Sequence, residues 1–254
     1  MSRTVIAVQA RAGSTRLPGK MSREFYKGKT ILRLILEQLL TQFSTDEIVL
    51  ATSQASENSA LIRDAEALGI SYHRGSENDV LGRVADAVRG KEVNGVVRVC
   101  ADNPFLRADL VTQLTTEFHR SPCDYASFRL PDGTPTIMSH VGLFAEVVAK
   151  KTLLALDASA TLPRHREHLT SGILDCREDY ACRFLPVPAC VANQEGIRMT
   201  VDTDVDFDVC RQLYSDVVVE YGSNFSVEQL MLVTRANTKL HSLMAQEIAA
   251  NEKR

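Results

Sequence analysis

Val5-Ile6-Ala7-Val8-Gln9-Ala10-Arg11-Ala12-Gly13-Ser14-Thr15-Arg16-Leu17-Pro18-Gly19-Lys20 is the stretch on which the fold turns. A hydrophobic run ends at Ala10. Arg11, Arg16 and Lys20 then share a ten-residue stretch with Gly13, Gly19 and the hydroxyls of Ser14 and Thr15. A buried strand that empties into such a loop opens an α/β pattern. Backbone N–H groups near Gly13 to Thr15 can line a concavity for an anion, while arginine and lysine add charge and directed donors. On composition alone the loop reads equally well as a phosphate site or a plain turn. Two familiar nucleotide motifs are excluded. Five residues, not four, separate Gly13 from Gly19, Met21 follows Lys20, and no Gly-x-Gly-x-x-Gly is present.

Working outward, strand-like and helix-like segments alternate through the first 120 residues or so. Strands are predicted at Thr4 to Ala10, Glu47 to Thr52, Ile70 to His73 and Val96 to Cys100. Between them Leu32, Ile35, Leu36, Leu39, Leu40 and Phe43 recur at helical spacing, as do residues of Ala60 to Leu68, Val80 to Val88 and Ala108 to Phe118. This rhythm implies β-α-β units and a doubly wound, mostly parallel sheet. After about Asp124 it changes. Tyr125 to Leu130, Ala181 to Val187 and Ile197 to Val201 read as strands. Helices are predicted within Met138 to Lys151, at Pro163 to Asp175, and over Asp204 to Val218, Phe225 to Arg235 and Thr238 to Ala250. The organisation that fits is a single domain over 1–254 with a β-rich region inserted at about 124–195.

The bulk numbers narrow the function classes. A chain of 254 residues with 44% hydrophobic and 24% charged residues suits a soluble globular protein with a substantial core. A net charge of -3 gives no general pull toward nucleic acid, and no apolar run reaches membrane-spanning length. The N-terminus enters a strand at once, without a signal peptide. Cys100, Cys123, Cys176, Cys182, Cys190 and Cys210 form no C-x-x-C pair and no zinc spacing, which reads as reduced thiols in a cytoplasmic protein.

Ligands of open α/β sheets bind beyond the carboxyl ends of the strands. Three charged features fall there: the Arg11 to Lys20 loop, Asp102-Asn103-Pro104, and Asp202-Thr203-Asp204. Together they suit phosphate chemistry. Mg²⁺ takes one or two carboxylates plus phosphate oxygens and water, and Asp102 and Asp202 can supply them. Arg11, Arg16 and Lys20 would hold the phosphates. Each residue also has a bland reading. Asp102 can form a turn or cap a helix, Asp202 can cap the next helix, Arg16 can be an ion-pair partner, and Asp79 and Arg83 can pair at i,i+4. The cluster Arg164-His165-Arg166-Glu167-His168 is either a solvated helix start or a second anion site.

The spelling of the first loop resembles the signature of the sugar-acid cytidylyltransferases, which include the CMP-Kdo and CMP-acylneuraminate synthetases. Its nearest likeness is to the spore coat polysaccharide biosynthesis protein F branch. Further matches are Glu47 to Ser53, Arg74 to Arg83, Asp102-Asn103-Pro104, Arg166 to Thr170 and Val201-Asp202-Thr203. The resemblance implies a nucleotide-diphospho-sugar transferase-like variant of the Rossmann sheet. It also implies Mg²⁺-dependent transfer of CMP from CTP to an acidic sugar with release of pyrophosphate, for surface polysaccharide or glycan synthesis. Arg11, Lys20, Asp102 and Asp202 would be catalytic, with the metal on Asp102 and Asp202. Gln9, Ala10, Arg11, Gly13, Ser14, Arg16, Lys20, Thr52, Ser76, Asp79, Arg83 and Asp102 would bind the nucleotide. Arg166 and His168 would bind the sugar, and the inserted region would make a homodimer. Two departures stand out. Ala101 replaces the usual glycine before Asp102, and Thr134 to His140 lacks the acidic residue of an Asp-x-Glu-like strand. Rival readings are another nucleotide-sugar transferase, a glycosyltransferase, or an inactive nucleotide-binding paralogue.

Overall fold

The structure, a computed structural model, describes residues 3–13 and 16–251. The opening run forms β1 (Thr4–Gln9), buried on both faces, and Ala7 lies opposite Val49 of β2 (Ile48–Ser53) and Arg98 of β4 (Gly95–Cys100). With β3 (Ser71–Gly75) these strands are parallel. β5 (Tyr125–Arg129), β6 (Glu146–Ala149) and β7 (Cys182–Pro186) extend the same sheet, in the order β3-β2-β1-β4-β6-β5-β7. Only β6 runs antiparallel to its neighbours. The chain is therefore an α/β protein with a mostly parallel, doubly wound sheet. Its residues 124–195 feed that sheet directly.

Helices cover both faces. α1 (Ile31–Leu39) and α2 (Ser59–Glu66) pack beneath β1 and β2, on the side of Ile6, Val8 and Leu50. α3 (Val80–Val88) packs on the other side, against Val5, Ala7 and Val49. α4 (Ala108–Arg120) joins the first layer. α5 (Lys150–Ser159) and the short α6 (Pro163–Glu167) and α7 (Ser171–Asp175) lie toward the second, through Leu153, Leu156 and Ile173. After the one-turn α8 (Ala189–Ala192), the helices α9 (Asp204–Tyr221), α10 (Val227–Ala236) and α11 (Thr238–Ala250) complete the first layer. α9 and α10 begin at reciprocal capping boxes, Thr203 with Asp206 and Ser226 with Gln229. No helix among the described residues is long and apolar enough to cross a membrane.

Three sequence expectations need correction. Ile197 to Val201 is not a strand. Apolar and polar residues alternate there in sequence, but all five are buried and the segment makes isolated contacts, Met199 N to His140 O at 2.9 Å and Val201 N to Asp102 O at 2.9 Å, rather than a ladder. Met138 to Lys151 is not the expected helix. Its apolar run is buried on all sides as extended chain and β6, so its pattern could not separate strand from helix, and the helix begins only at Lys150. Pro163 to Asp175 is broken at His168 (φ -109°, ψ 86°) into α6 and α7.

Candidate active site

The loop after β1 is tied down at both ends. Ala12 N donates to Asn58 Oδ1 at 2.8 Å, and the Asn58 amide in turn donates at 2.6 Å to Ser53 Oγ, at the last residue of β2. At the far end Lys20 N reaches Leu17 O at 3.3 Å, and Gly19 sits at φ 72°, where only glycine is unstrained. Leu17 and Met21 anchor the loop in the core. Ser14 and Thr15 lie outside the described residues.

This anchoring drives Lys20 into the protein. Its ammonium is buried and donates to Val201 O at 2.6 Å, with Asp102 Oδ2 at 3.5 Å and Asp202 Oδ1 at 3.6 Å. One cation thus bridges two carboxylates that are 100 residues apart in sequence. The Val201 N to Asp102 O bond stitches their backbones together. Arg16 donates to Asp202 Oδ1 at 2.9 Å, as its ion-pair reading anticipated. Asp202 does not cap α9, because Thr203 and Asp206 do so. Asp102 does not cap α4 either; the residue preceding that helix is Arg107.

A second buried pair holds Asp202 from behind. Arg198 is fully enclosed and meets Asp206 at 2.6 and 2.7 Å, and its Nη1 donates to His140 Nδ1 at 2.5 Å. The Asp206 carboxylate also takes the N–H groups of Asp202 at 3.0 Å and Thr203 at 2.9 Å. Burial works to raise the Asp206 carboxyl, but the Arg198 hydrogen bonds and charge outweigh it and hold the group below its ordinary range. Gly142 (φ 65°) lies against this segment, and a Cβ there would come within 2.6 Å of Met199 backbone.

The other half of the cleft gathers around Arg11. Its guanidinium donates to Glu77 O at 3.2 Å and faces Glu77 Oε1 at 3.7 Å and Glu167 Oε1 at 3.6 Å. Glu77 lies against Gly13, whose missing Cβ would be 2.6 Å from Oε1. Arg83 is buried, and Nη1 donates to Ser76 O at 2.5 Å and Glu77 O at 3.3 Å. Its Nε and Nη2 have no partner among the described residues. Burial lowers the Arg83 guanidinium from its ordinary value, and the Arg11 charge adds to the effect. Asp79 does not form the i,i+4 pair with Arg83. It caps α3 through Gly82 N at 2.8 Å and pairs with Arg166, which also holds Asp157 at 2.9 Å. Burial opposes ionisation of Asp79, yet the Arg166 and Gly82 bonds keep its pKa below the usual value.

The structure thus brings Arg11, Gly13, Ser76, Asp79, Arg83 and Arg166 to one side of the loop, and Arg16, Lys20, Asp102 and Asp202 to the other. Gln9 and Ala10 close β1 beside Ala51, Cys100 and Ala101. Thr52 Oγ1 is buried without a partner among the described residues, while Ser53 is taken up by Asn58. Arg164 and His165 both turn to Asp175 at 2.7 Å, and His168 is exposed. The sequence reading passed over Asn58, Glu77, Arg198 and Asp206. It also missed Glu146, the first acidic residue after Asp132, on β6. For Asn58 a signal existed, since it follows the carboxyl end of a strand. For Glu146 and its partner Arg98 the signal was a charge inside an apolar strand.

The sequence pattern of the cytidylyltransferase family matches residues 5–238. An uncharacterized protein of Methanocaldococcus jannaschii is 31% identical over 206 residues, 81% of either chain. The spore coat polysaccharide biosynthesis protein SpsF of Bacillus subtilis is 27% identical over 241 residues, 93% of this chain and 95% of its own. A 3-deoxy-manno-octulosonate cytidylyltransferase of Aeromonas salmonicida is 28% identical over 132 residues, half of each chain. Among solved structures, a cytidylyltransferase from Leptospira borgpetersenii superposes with a TM-score of 0.82 at 24% identity, covering 94% of this chain and 97% of that one. A CMP:2-keto-3-deoxy-manno-octonic acid synthetase complexed with CTP gives 0.63 at 17% identity, covering 85% and 99%. These superpositions bear on the fold, and the family match, over most of the chain, bears on its chemistry. The chain is a nucleotidyltransferase and belongs to the cytidylyltransferase family.

Proposed function

We propose that this protein transfers CMP from CTP to an acidic sugar with release of pyrophosphate, supported by a divalent cation for which Mg²⁺ is the natural candidate. The observation that carries the reading is the single Lys20 ammonium between Asp102 and Asp202, at the end of a loop rich in arginine. The two carboxylates fit a hard divalent ion, because such an ion needs only one or two protein oxygens when phosphate and water complete its shell. When bound there, the ion would supply charge for the phosphates and lower the pKa of the attacking hydroxyl. Lys20, Arg16 and Arg11 would take the phosphate oxygens and offset charge on the departing pyrophosphate. The acceptor oxygen bonds to the α-phosphorus as the bond from that phosphorus to the bridging oxygen breaks, and the hydroxyl proton passes to solvent. Most of the rate gain would then come from positioning and electrostatics.

The nucleotide would occupy the side of Thr52, Ser76 and Arg83. The unpaired nitrogens of Arg83 and the unpaired Thr52 hydroxyl support that placement, since buried polar atoms of this kind ordinarily find partners. The sugar would lie toward Arg166 and His168. The inserted region 124–195, with sugar contacts and a homodimer interface, belongs to the same reading, as do a cytoplasmic location and a role in surface polysaccharide synthesis. They rest on the resemblance, and size-exclusion chromatography with light scattering checks the dimer. The reaction is tested by pyrophosphate release from CTP and Mg²⁺ with a panel of sugar acids, 3-deoxy-manno-octulosonate among them. Release with at least one acid, abolished in Asp102→Asn, is expected. CTP binding with no release for any acid would replace this reading with an inactive nucleotide-binding paralogue.

A further inference from the structure

β4 carries a charge in an otherwise apolar run, Gly95-Val96-Val97-Arg98-Val99. Arg98 is buried on the sheet face that holds Val96 and Val148. Directly across the antiparallel ladder stands Glu146 of β6, and Nη1 meets Oε1 at 2.6 Å. The same carboxylate accepts from Tyr125 Oη at 2.5 Å and from Thr170 Oγ1 at 2.9 and 3.1 Å. Burial first, and the Glu146 charge second, push the Tyr125 phenol well above its ordinary pKa, so it remains a donor. A buried ion pair of this kind is weak evidence for stability, because well-packed apolar side chains often serve as well. Its two ends suggest another purpose.

At one end, Arg98 Nε donates to Gln9 Oε1 at 3.0 Å. A carboxamide has one acceptor end and one donor end. With the oxygen committed to Arg98 on the β4 side, the Gln9 amide nitrogen is directed away from that contact. Gln9 is only half-buried. At the other end, Glu146 fixes Thr170, the residue from which the backbone turns into α7 just after Arg166 and His168. One ion pair therefore reaches both the strand end that opens the phosphate loop and the segment that carries Arg166 and His168.

We propose that Arg98 and Glu146 are a positioning pair that presents the Gln9 amide nitrogen as a donor to the carboxylate of the sugar acid, so that Gln9 belongs to the acceptor side of the cleft and not to the base. This rests on the acidic-sugar reading above. Arg98 and Glu146 act through Gln9 and Thr170 and touch no substrate themselves.

Two measurements test it. The first is ¹⁵N relaxation of the Gln9 side-chain amide, assigned by its loss in Gln9→Glu. An order parameter near that of rigid backbone, about 0.8, is expected in the wild type, and a value below about 0.6 in Arg98→Lys and Glu146→Gln. Equal rigidity in all three proteins overturns the positioning pair. The second compares Gln9→Met with the wild type. CTP affinity by calorimetry should stay within twofold, while KM for whichever sugar acid the wild type accepts rises about tenfold. Glu146→Gln should reproduce that rise, and the double variant should add little to it, as for residues acting in one chain of contacts. Parallel loss of CTP affinity in Gln9→Met overturns the acceptor assignment. Failure of the wild type to bind CTP would count against the proposed function instead, and the relaxation result would still decide the pair.

Discussion

Replacing Lys20 with methionine keeps most of the side-chain volume and removes the one charge shared by Asp102 and Asp202. At an effective dielectric constant of about 20, unit charges at the observed 3.5 and 3.6 Å attract by roughly 4–5 kcal/mol each. The desolvation of a buried ammonium offsets much of that, and losing one partner of a buried pair typically costs about 3–5 kcal/mol. For a chain of this size a loss of that order lowers Tm by about 10 °C. Two consequences should then diverge. CTP affinity should fall, because the proposed phosphate ligand is gone. Stabilisation by MgCl₂ alone should rise, because Asp102 loses its cation and Asp202 keeps only Arg16 and Arg198 where an ammonium had joined the two carboxylates. If Mg²⁺ reaches tenfold its Kd for the variant, the gain is about 1.4 kcal/mol. Thermal melts of both proteins, with and without 10 mM MgCl₂ and with CTP, measure all three effects. A variant that melts with the wild type and binds CTP equally well would refute the view that Lys20 couples the carboxylates to the nucleotide.

Asp206→Asn should destabilise by about 3–5 kcal/mol in urea unfolding, because buried Arg198 loses its close carboxylate partner and keeps only the more distant Asp202 and the His140 contact. The same pair sets a pH dependence. Since the folded-state pKa of Asp206 is depressed, its contribution is complete above the ordinary aspartate value and is lost as pH falls below about 4, so wild-type stability should drop there more steeply than that of the variant. Asn58→Ala should cost about 1–3 kcal/mol and weaken CTP binding several-fold, since Ala12 N loses its acceptor and the loop its tether. Gly142→Ala should cost about 2 kcal/mol or more, combining a left-handed backbone angle with a clash against Met199 backbone, and calorimetric Tm reads it directly.

Local sequence carried the first half of the fold because each strand-helix pair there is a self-contained pattern. Val80 to Val88 and Ala108 to Phe118 show periodicity that needs no knowledge of distant neighbours. The second half failed locally for a physical reason. Val141 to Val148 is apolar but for Glu146 and buried throughout, so no period distinguishes strand from helix until β4 is seen beside it. Ile197 to Val201 has the alternation of a strand but pairs only through single bonds to His140 and Asp102. The site divides in the same way. The cationic loop and Asp102 after β4 could be picked out as candidates from residue type and place, whereas Asp202 was picked out after a strand that is in fact an extended segment. Asn58 reaching Ala12, Arg198 clasping Asp206, and Glu167 facing Arg11 depend on chain crossings that no local pattern encodes.

The central claim is that the Arg11 to Lys20 loop, with Asp102 and Asp202, binds the triphosphate of CTP together with a divalent ion. Calorimetric titration of the wild type and of Asp102→Asn with CTP, UTP, ATP and GTP, each with and without Mg²⁺, tests it most directly. The account predicts that CTP with Mg²⁺ binds most tightly to the wild type and that Asp102→Asn loses the Mg²⁺-dependent part. Absence of binding for every nucleotide, or CTP binding untouched by both Mg²⁺ and Asp102→Asn, would contradict it.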